Sequence, residues 1–409
     1  MKPEAVILLF SGTKPRHAPL LDSAVRAVHD AGLAAVCVAP SKVALSGGEP
    51  DAWGVYRPGA GHEDRVIEAA HEASGPFRAV RVISLFEDDV RAAATLREQL
   101  GVEGLTVEQS IYFRDKNAMN VRAAELGLRT AIWTLPHTKN HVRQFAAEHQ
   151  YPIVIKPYDG VSCTNTYKVT SDEELDRTWP LLQAQRHDYR VEAFIHGKQF
   201  HVDTMVRDGE VLFESVGEYT AQILENWQDA PMGSVTHPAT GVHREMLDAA
   251  RTVVTSFGLR TGIAHTEFYL DDEGTLTFGE TAARMAGAWV PSMYRHAYGI
   301  DLAYDSVRAE VEPGYTPAGD ISGCTGASYL WSSATGRIDR ITDADSLSAL
   351  PYVCHVEVNK APGDVLPPVV GTRGQDLGHV VVAGKSPAEV SENLRDIHTR
   401  FSVLTTNVP

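Results

Sequence analysis

Near the N-terminus the apolar residues fall in an unbroken run over Ala5–Phe10, with further strands expected at Ala34–Val38 and Val80–Leu85. Runs without alternation suit strands covered on both faces, as in a parallel sheet. Between the runs the apolar positions take helical spacing, over Leu20–Ala31, which ends at Gly32, and over Asp88–Leu100. Strands alternating with helices predict an α/β domain whose ligands lie outside the carboxyl ends of its strands. No Gly-x-Gly-x-x-Gly follows the first run, so no dinucleotide site is expected there.

The pattern then shortens. A helix is expected over Lys116–Leu126, closed by Gly127, and another around Val142–His149. Short strands at Thr130–Leu135, Pro152–Lys156 and Thr166–Thr170 surround them, and Ser171 with Glu174 reads as a capping box opening a further helix. This is a small α+β unit. From Tyr189 the strands lengthen and become antiparallel: Tyr189–Ile195, Lys198–Arg207 and Glu210–Val216, turning at His196-Gly197 and Asp208-Gly209. A helix over Arg244–Phe257 precedes a hairpin within Gly262–Gly287, with its turn at Asp271–Gly274. Beyond Glu312 the strands Ala327–Trp331, His355–Lys360 and His379–Gly384 are short and broken by Gly and Pro. The expected domains are 1–114, 115–188, 189–311 and 312–409.

A chain of 409 residues is too long for one core. Its formal net charge of −16 argues against a general nucleic-acid binder, which needs a basic face. Cys37, Cys163, Cys324 and Cys354 are far apart with no Cys-x-x-Cys spacing. Reduced thiols and a cytoplasmic setting are therefore expected, without a disulfide framework or zinc site. The apolar run in MKPEAVILLFSG is too short for a signal peptide or a membrane span, so no membrane partner is expected.

The candidate chemistry centres on the hairpin. Glu267 lies in its first strand and Glu280 in its second, with Arg284 shortly after. Pairing could bring both carboxylates to one end of the sheet, where hard oxygen ligands suit Mg²⁺ held against phosphates. A fixed guanidinium beside them suits a carboxylate or phosphoryl group. Alone, such residues are more often solvated faces and surface pairs. Lys156 ends an apolar strand and is followed by Pro157 and a loop with Gly160, Ser162, Thr164 and Asn165, whose backbone N–H groups and hydroxyls could close over phosphates. Lys116 heads a helix, where a cation opposes the helix dipole and is better explained by a bound anion. Glu192 could begin an adenine-binding element, and Gln199 could bond a ribose hydroxyl. For each of these, an ordinary surface or strand residue is the plainer alternative.

Lys116, Lys156-Pro157, Glu192-Ala-Phe-Ile, Glu267, Glu280 and Arg284 stand in an order and spacing that resembles the ATP-grasp enzymes, over roughly Val80–Gly287. Glu87 after the third strand resembles the family's preceding α/β domain. TGRIDRI, APGDVL and HVVVAGKSPAEV resemble the terminal subdomain of bacterial L-amino acid ligases. The resemblance implies an ATP-grasp architecture of α/β and α+β class. It has an N-terminal parallel α/β domain, a small central α+β lid and a C-terminal antiparallel sheet domain with an extra terminal subdomain. It implies that Lys116 and Lys156 contact ATP phosphates, with Ser162 in the loop, and that Glu192 begins the adenine hinge. Glu267 and Glu280 would ligate Mg²⁺ (or Mn²⁺), and Arg284 would steady the activated carboxyl group, making Arg284, Lys156 and Glu280 the catalytic set. Gln199 replaces the family's ribose-binding acid, and Ala282 stands where many members carry a metal-binding asparagine.

The implied activity is ADP-forming ligation of a carboxylate to an amine through an acyl phosphate, with small amino-acid-like substrates. Secondary metabolism is the expected setting and a homodimer a candidate assembly. Two alternatives remain open: transfer of the activated acyl group to a carrier-protein thiol, and a nucleotide-binding protein without catalysis. His201, Asp203, Glu218, Tyr219, His237 and Trp289 could line an acceptor pocket, with His237 and Trp289, beside Glu87 and Arg284, the substrate contacts favoured. His265 reads as structural.

Overall fold

The computed structural model describes residues 2–14, 17–161, 163–185, 188–224, 231–319, 323–367 and 377–407. The first domain is a parallel sheet ordered Ala52–Val55, Ala34–Ala39, Glu4–Leu9, Arg78–Ser84. Helices Ala18–Asp30, His62–Ser74 and Val90–Leu100 cover it, and the continuous apolar run Ala5–Phe10 is buried between them. The strand Ala52–Val55 is short, and helix His62–Ser74 buries mainly small residues, Ala69, Ala70 and Ser74, beside Val66, so the pattern alone does not show them. Glu87 follows the last strand at the carboxyl edge, the side expected to face a ligand.

The small unit is a four-stranded sheet ordered Trp133–Thr134, Tyr189–Ala193, Ile153–Pro157, Tyr167–Val169, backed by helices Lys139–His149 and Asp172–Gln185. The sequence places a domain boundary at Tyr189. In the structure Tyr189–Ala193 belongs to the small sheet, paired with both Ile153–Pro157 and Trp133–Thr134. The expected strand Thr130–Leu135 is also divided: Trp133 and Thr134 join the small sheet, while the Phe278 N–H donates to Arg129 O in the large one. One segment thus ties the two sheets together.

The large sheet has eight strands, ordered Leu276–Ala282, Gly262–Leu270, Lys198–Arg207, Glu210–Tyr219, Gly233–His237, Cys324–Tyr329, Gly378–Gly384, Val353–Val358. The last three come from beyond residue 312, so the terminal segment extends this sheet and adds its edge. Helix Val242–Ser256 covers one part and helices Val290–Tyr298, Leu302–Val311 and Pro387–Arg400 cover others. At Gly217 a Cβ would fall 2.2 Å from His201 Nε2, so only glycine lets these two strands close at that point. The four cysteines are unpaired. Among the described residues no helix is long and apolar enough to cross a membrane.

Helix Pro387–Arg400 brings a pH-sensitive contact. His398 Nε2 lies 2.8 Å from Ser328 Oγ, and burial pushes its imidazole down to about 4. An unfolded histidine binds its proton near pH 6.5, so between about 6.5 and 4 the unfolded chain takes up more protons. Stability is therefore expected to fall as pH drops through that window. Urea unfolding at pH 7 and pH 4.5 should show a smaller loss for His398→Gln than for the wild type.

Candidate active site

The hairpin register places Glu267 directly opposite Glu280. Side chains so paired have Cβ atoms ~5 Å apart, and like charges there repel. The surrounding cations offset this. Lys116 Nζ lies 3.4 Å from Glu280 Oε2 and donates to Gly160 O at 2.7 Å. Burial would raise the Glu280 carboxyl, but Lys116, Lys156 and Arg284 outweigh it and hold it well below the usual range. Burial likewise opposes the charge on Lys116, yet Glu280 and Glu87 raise its ammonium above the ordinary value. Asp115 caps the Lys116 helix by accepting from Asn117 N and Ala118 N, and Lys116 N donates to Tyr158 O. The lysine is thereby fixed at the helix start against the loop after Pro157.

Lys156 Nζ meets Glu192 Oε1 at 2.6 Å. The other carboxylate oxygen of Glu192 is 3.1 Å from Arg190 Nη2. Arg190 is fully buried and also donates to Lys116 O at 2.7 Å and Asn120 Oδ1 at 2.8 Å. It locks the Lys116 helix to the small sheet, a role the sequence reading missed. The available signal was its place two residues before Glu192, on the same face of one strand. In the loop after Pro157, Cys163 and Asn165 have φ of 53° and 59°. These are left-handed conformations that glycine adopts freely, in a segment poor in glycine. Burial, Glu280 and Glu267 push the Cys163 thiol up to about 12, so it is neither a thiolate nor a nucleophile at neutral pH. Ser162 lies outside the described residues.

Arg284 is joined to the first domain. Its Nε donates to Glu87 Oε2 at 3.1 Å and its Nη1 to Met285 O at 2.9 Å. Arg114 Nη1 donates to Glu87 Oε1 at 2.8 Å and its Nη2 to Asp159 O at 2.7 Å. Glu87 thus aligns two guanidinium groups, from the hairpin's exit and from the entrance to the Lys116 helix. Burial works against the Arg284 charge, and Glu87 more than restores it.

Gln199 departs from its expected role. Its Nε2 donates to Glu267 Oε2 at 2.9 Å and its Oε1 accepts from Ile223 N at 2.9 Å. With both ends engaged and the side chain buried, it orients Glu267. The other Glu267 oxygen accepts from Tyr219 Oη at 3.1 Å. Behind it lies a buried network. Asp203 takes His201 Nδ1 and His265 Nδ1, each at 2.8 Å, and Tyr294 Oη at 2.8 Å. Burial opposes charge on His265, but Asp203 and Glu267 raise its imidazole to about 9. It is an imidazolium between two carboxylates. His201 and Asp203 therefore support the hairpin and line no open pocket, and His265 is structural as expected.

His237 does not join the group. It pairs with Val216, which puts it on the sheet face opposite Glu267. There it meets Glu218 Oε2 at 3.1 Å and stacks near His243, with ring centroids 4.4 Å apart. Strand alternation decides this: His237 follows Thr236, whose side chain faces the other way. The expected substrate contact at His237 is thus corrected. Trp289 is buried edge-on against Tyr329, with centroids 4.8 Å apart, and belongs to the apolar core around Met285 and Met293.

Two lysines, two opposed carboxylates and an arginine thus meet where the small sheet faces the long hairpin. Residues 149–292 match the ATP-grasp domain, and residues 328–405 match the L-amino acid ligase C-terminal domain 2. The chain is accordingly a ligase of the ATP-grasp class, similar to the L-amino acid ligases. It is 25% identical over 300 residues to an L-arginine-specific L-amino acid ligase of Bacillus subtilis, covering 71% of this chain and 72% of that protein. It is 22% identical over 265 residues to the alanine–anticapsin ligase of Bacillus subtilis, covering 59% of this chain and 56% of that one. The crystal structure of an L-amino acid ligase from Bacillus licheniformis superposes with a TM-score of 0.77 at 19% identity, over 100% of both chains.

Proposed function

We propose that this ligase activates an amino-acid carboxylate as an acyl phosphate and passes it to the amine of a second small amino-acid-like molecule, releasing ADP and phosphate. A carboxylate resists attack because its charge repels nucleophiles and resonance is lost, so a leaving group must be installed. The observation that supports this reading best is the convergence of Lys116, Lys156 and Arg284 on Glu280, each of them holding its carboxyl down. In this reading Lys116 and Lys156 hold phosphate oxygens, and Arg284 holds the acyl oxygens. Glu267 and Glu280 fit a Mg²⁺ or Mn²⁺ site, because facing strands of one hairpin present two opposed carboxylates as hard oxygen ligands. Bound there, the ion would neutralise charge that develops on the transferring phosphoryl group. The γ-phosphoryl bond to ADP breaks as its phosphorus bonds a carboxylate oxygen. The amine then attacks the acyl carbon and phosphate departs with that oxygen.

Gln199 tests the metal assignment without touching the nucleotide. Gln199→Leu frees one oxygen of Glu267 from its orienting bond. Losing a partner that orients a metal ligand costs about 10–100-fold in metal affinity or activity. The Mg²⁺ concentration for half-maximal ADP release is expected to rise by that order, with maximal turnover at saturating Mg²⁺ less affected. An unchanged Mg²⁺ dependence would remove Glu267 from the metal site. A screen of ADP release over pairwise amino acids, with mass detection of products, identifies the substrates and separates amine from thiol acceptors.

A further inference from the structure

Two groups of side chains outside the phosphate-facing cluster have the composition of a metal site. In the first, His201, Asp203 and His265, the ligand atoms are engaged with one another: each Asp203 oxygen takes one imidazole Nδ1, and His201 Nε2 meets Ser234 Oγ at 2.7 Å. That is a hydrogen-bond network.

The second is built differently. His355 and Glu357 alternate on strand Val353–Val358 and so share a face. Glu357 stands opposite His379 on strand Gly378–Gly384. The ligand atoms of His355, Glu357 and His379 lie within 4.8 Å of one another. His379 Nδ1 is 3.4 Å from Glu357 Oε2, while its Nε2 lies 2.8 Å from Ser292 Oγ. A hydroxyl on the remote nitrogen fixes the ring and turns the near nitrogen toward the site, as outer partners do for ligating histidines. His296, from helix Val290–Tyr298, stacks flat on His355 with centroids 3.9 Å apart and planes 4° from parallel.

We propose that His355, Glu357 and His379 form a second metal site, for a divalent cation of the zinc type, with its fourth position open to water or to His296. Two imidazoles and a carboxylate suit zinc, cobalt or nickel, whereas magnesium prefers oxygen alone. The ion would tie the sheet's edge strand to its neighbour beneath the helix that carries Ser292, just past Arg284 and Trp289. It is separate from the carboxylate pair of the hairpin and independent of the ligase reading.

The test uses the full chain stripped of metal, titrated with Zn²⁺ alone by calorimetry and with Co²⁺ followed by its visible absorption. One saturable equivalent is expected, with intense visible cobalt bands, and both survive Glu280→Gln. Affinity should weaken about 10-fold in Ser292→Ala, and by about 100-fold or more in His355→Ala and His379→Ala. Ser292→Ala removes a single hydroxyl and keeps the test decisive if a histidine variant misfolds. Absence of saturable uptake overturns the proposal. So does uptake that persists in His355→Ala and His379→Ala, or uptake that is lost in Glu280→Gln.

Discussion

Glu280→Gln is expected to lower ADP release by at least about 10²–10³-fold while leaving the chain folded. The magnitude is that of removing one preorganised electrostatic group from a site where charge develops. Three cations act on this carboxylate: Lys116 pairs with it at 3.4 Å, and Lys156 and Arg284 act on it from further away. The fold should tolerate the change, because the side chain is 35% exposed and the amide keeps its size. Glu218→Gln is the matched control. Glu218 also pairs with two cationic partners, Lys198 at 2.8 Å and His237 at 3.1 Å, but on the opposite face of the sheet. Its variant should release ADP at the wild-type rate. Equal activity of Glu280→Gln and wild type would mean that the hairpin carboxylates take no part in phosphoryl transfer.

Asp203→Ala is expected to destabilise the protein by about 3–5 kcal/mol, the usual cost of removing one partner from a buried charged set. Asp203 is fully buried and accepts from His201, His265 and Tyr294 at once. His265 and His201 outweigh burial and hold its carboxyl far below the usual range. Without it, the His265 imidazolium lies against Glu267 with no second anion, and two imidazole N–H groups and a phenol lose their acceptor. The lost stability should appear as a lowered urea midpoint. Asp203→Asn, which keeps the shape and one acceptor oxygen, should recover part of it. An unchanged midpoint for Asp203→Ala would show that burying this network contributes nothing net to the fold.

Much of this was readable before any coordinates, for identifiable reasons. The parallel sheet was legible because two of its strands, Glu4–Leu9 and Ala34–Ala39, are buried on both faces and read as apolar runs. Lys198–Arg207 and the Glu267–Glu280 hairpin were legible because glycine-bearing turns bound them on both sides. Lys116, Lys156, Glu267, Glu280 and Arg284 converge as their order along the chain implied. What escaped was set by pairing, which a sequence does not display. Tyr189–Ala193 joins the small sheet because its partners are Ile153–Pro157 and Trp133–Thr134, not the strand that follows it. Gln199 orients Glu267 because the strand beside the hairpin brings them within 2.9 Å. His237 faces away from the site because its register with Val216 fixes its side of the sheet. Arg190 and Arg114 drew no reading from the sequence, and only their partners in the fold, Glu192 and Glu87, show what they hold.

The central claim is that a substrate carboxylate is phosphorylated within this cluster. The most direct measurement is oxygen transfer. The amino acid found to support ADP release, labelled with ¹⁸O in its carboxyl group, is turned over with ATP and its amine partner, and the released phosphate is analysed by mass. Phosphate carrying one ¹⁸O per turnover is expected, because the oxygen that bonds phosphorus leaves with it. Unlabelled phosphate accompanying product formation, or AMP and pyrophosphate in place of ADP, would contradict it.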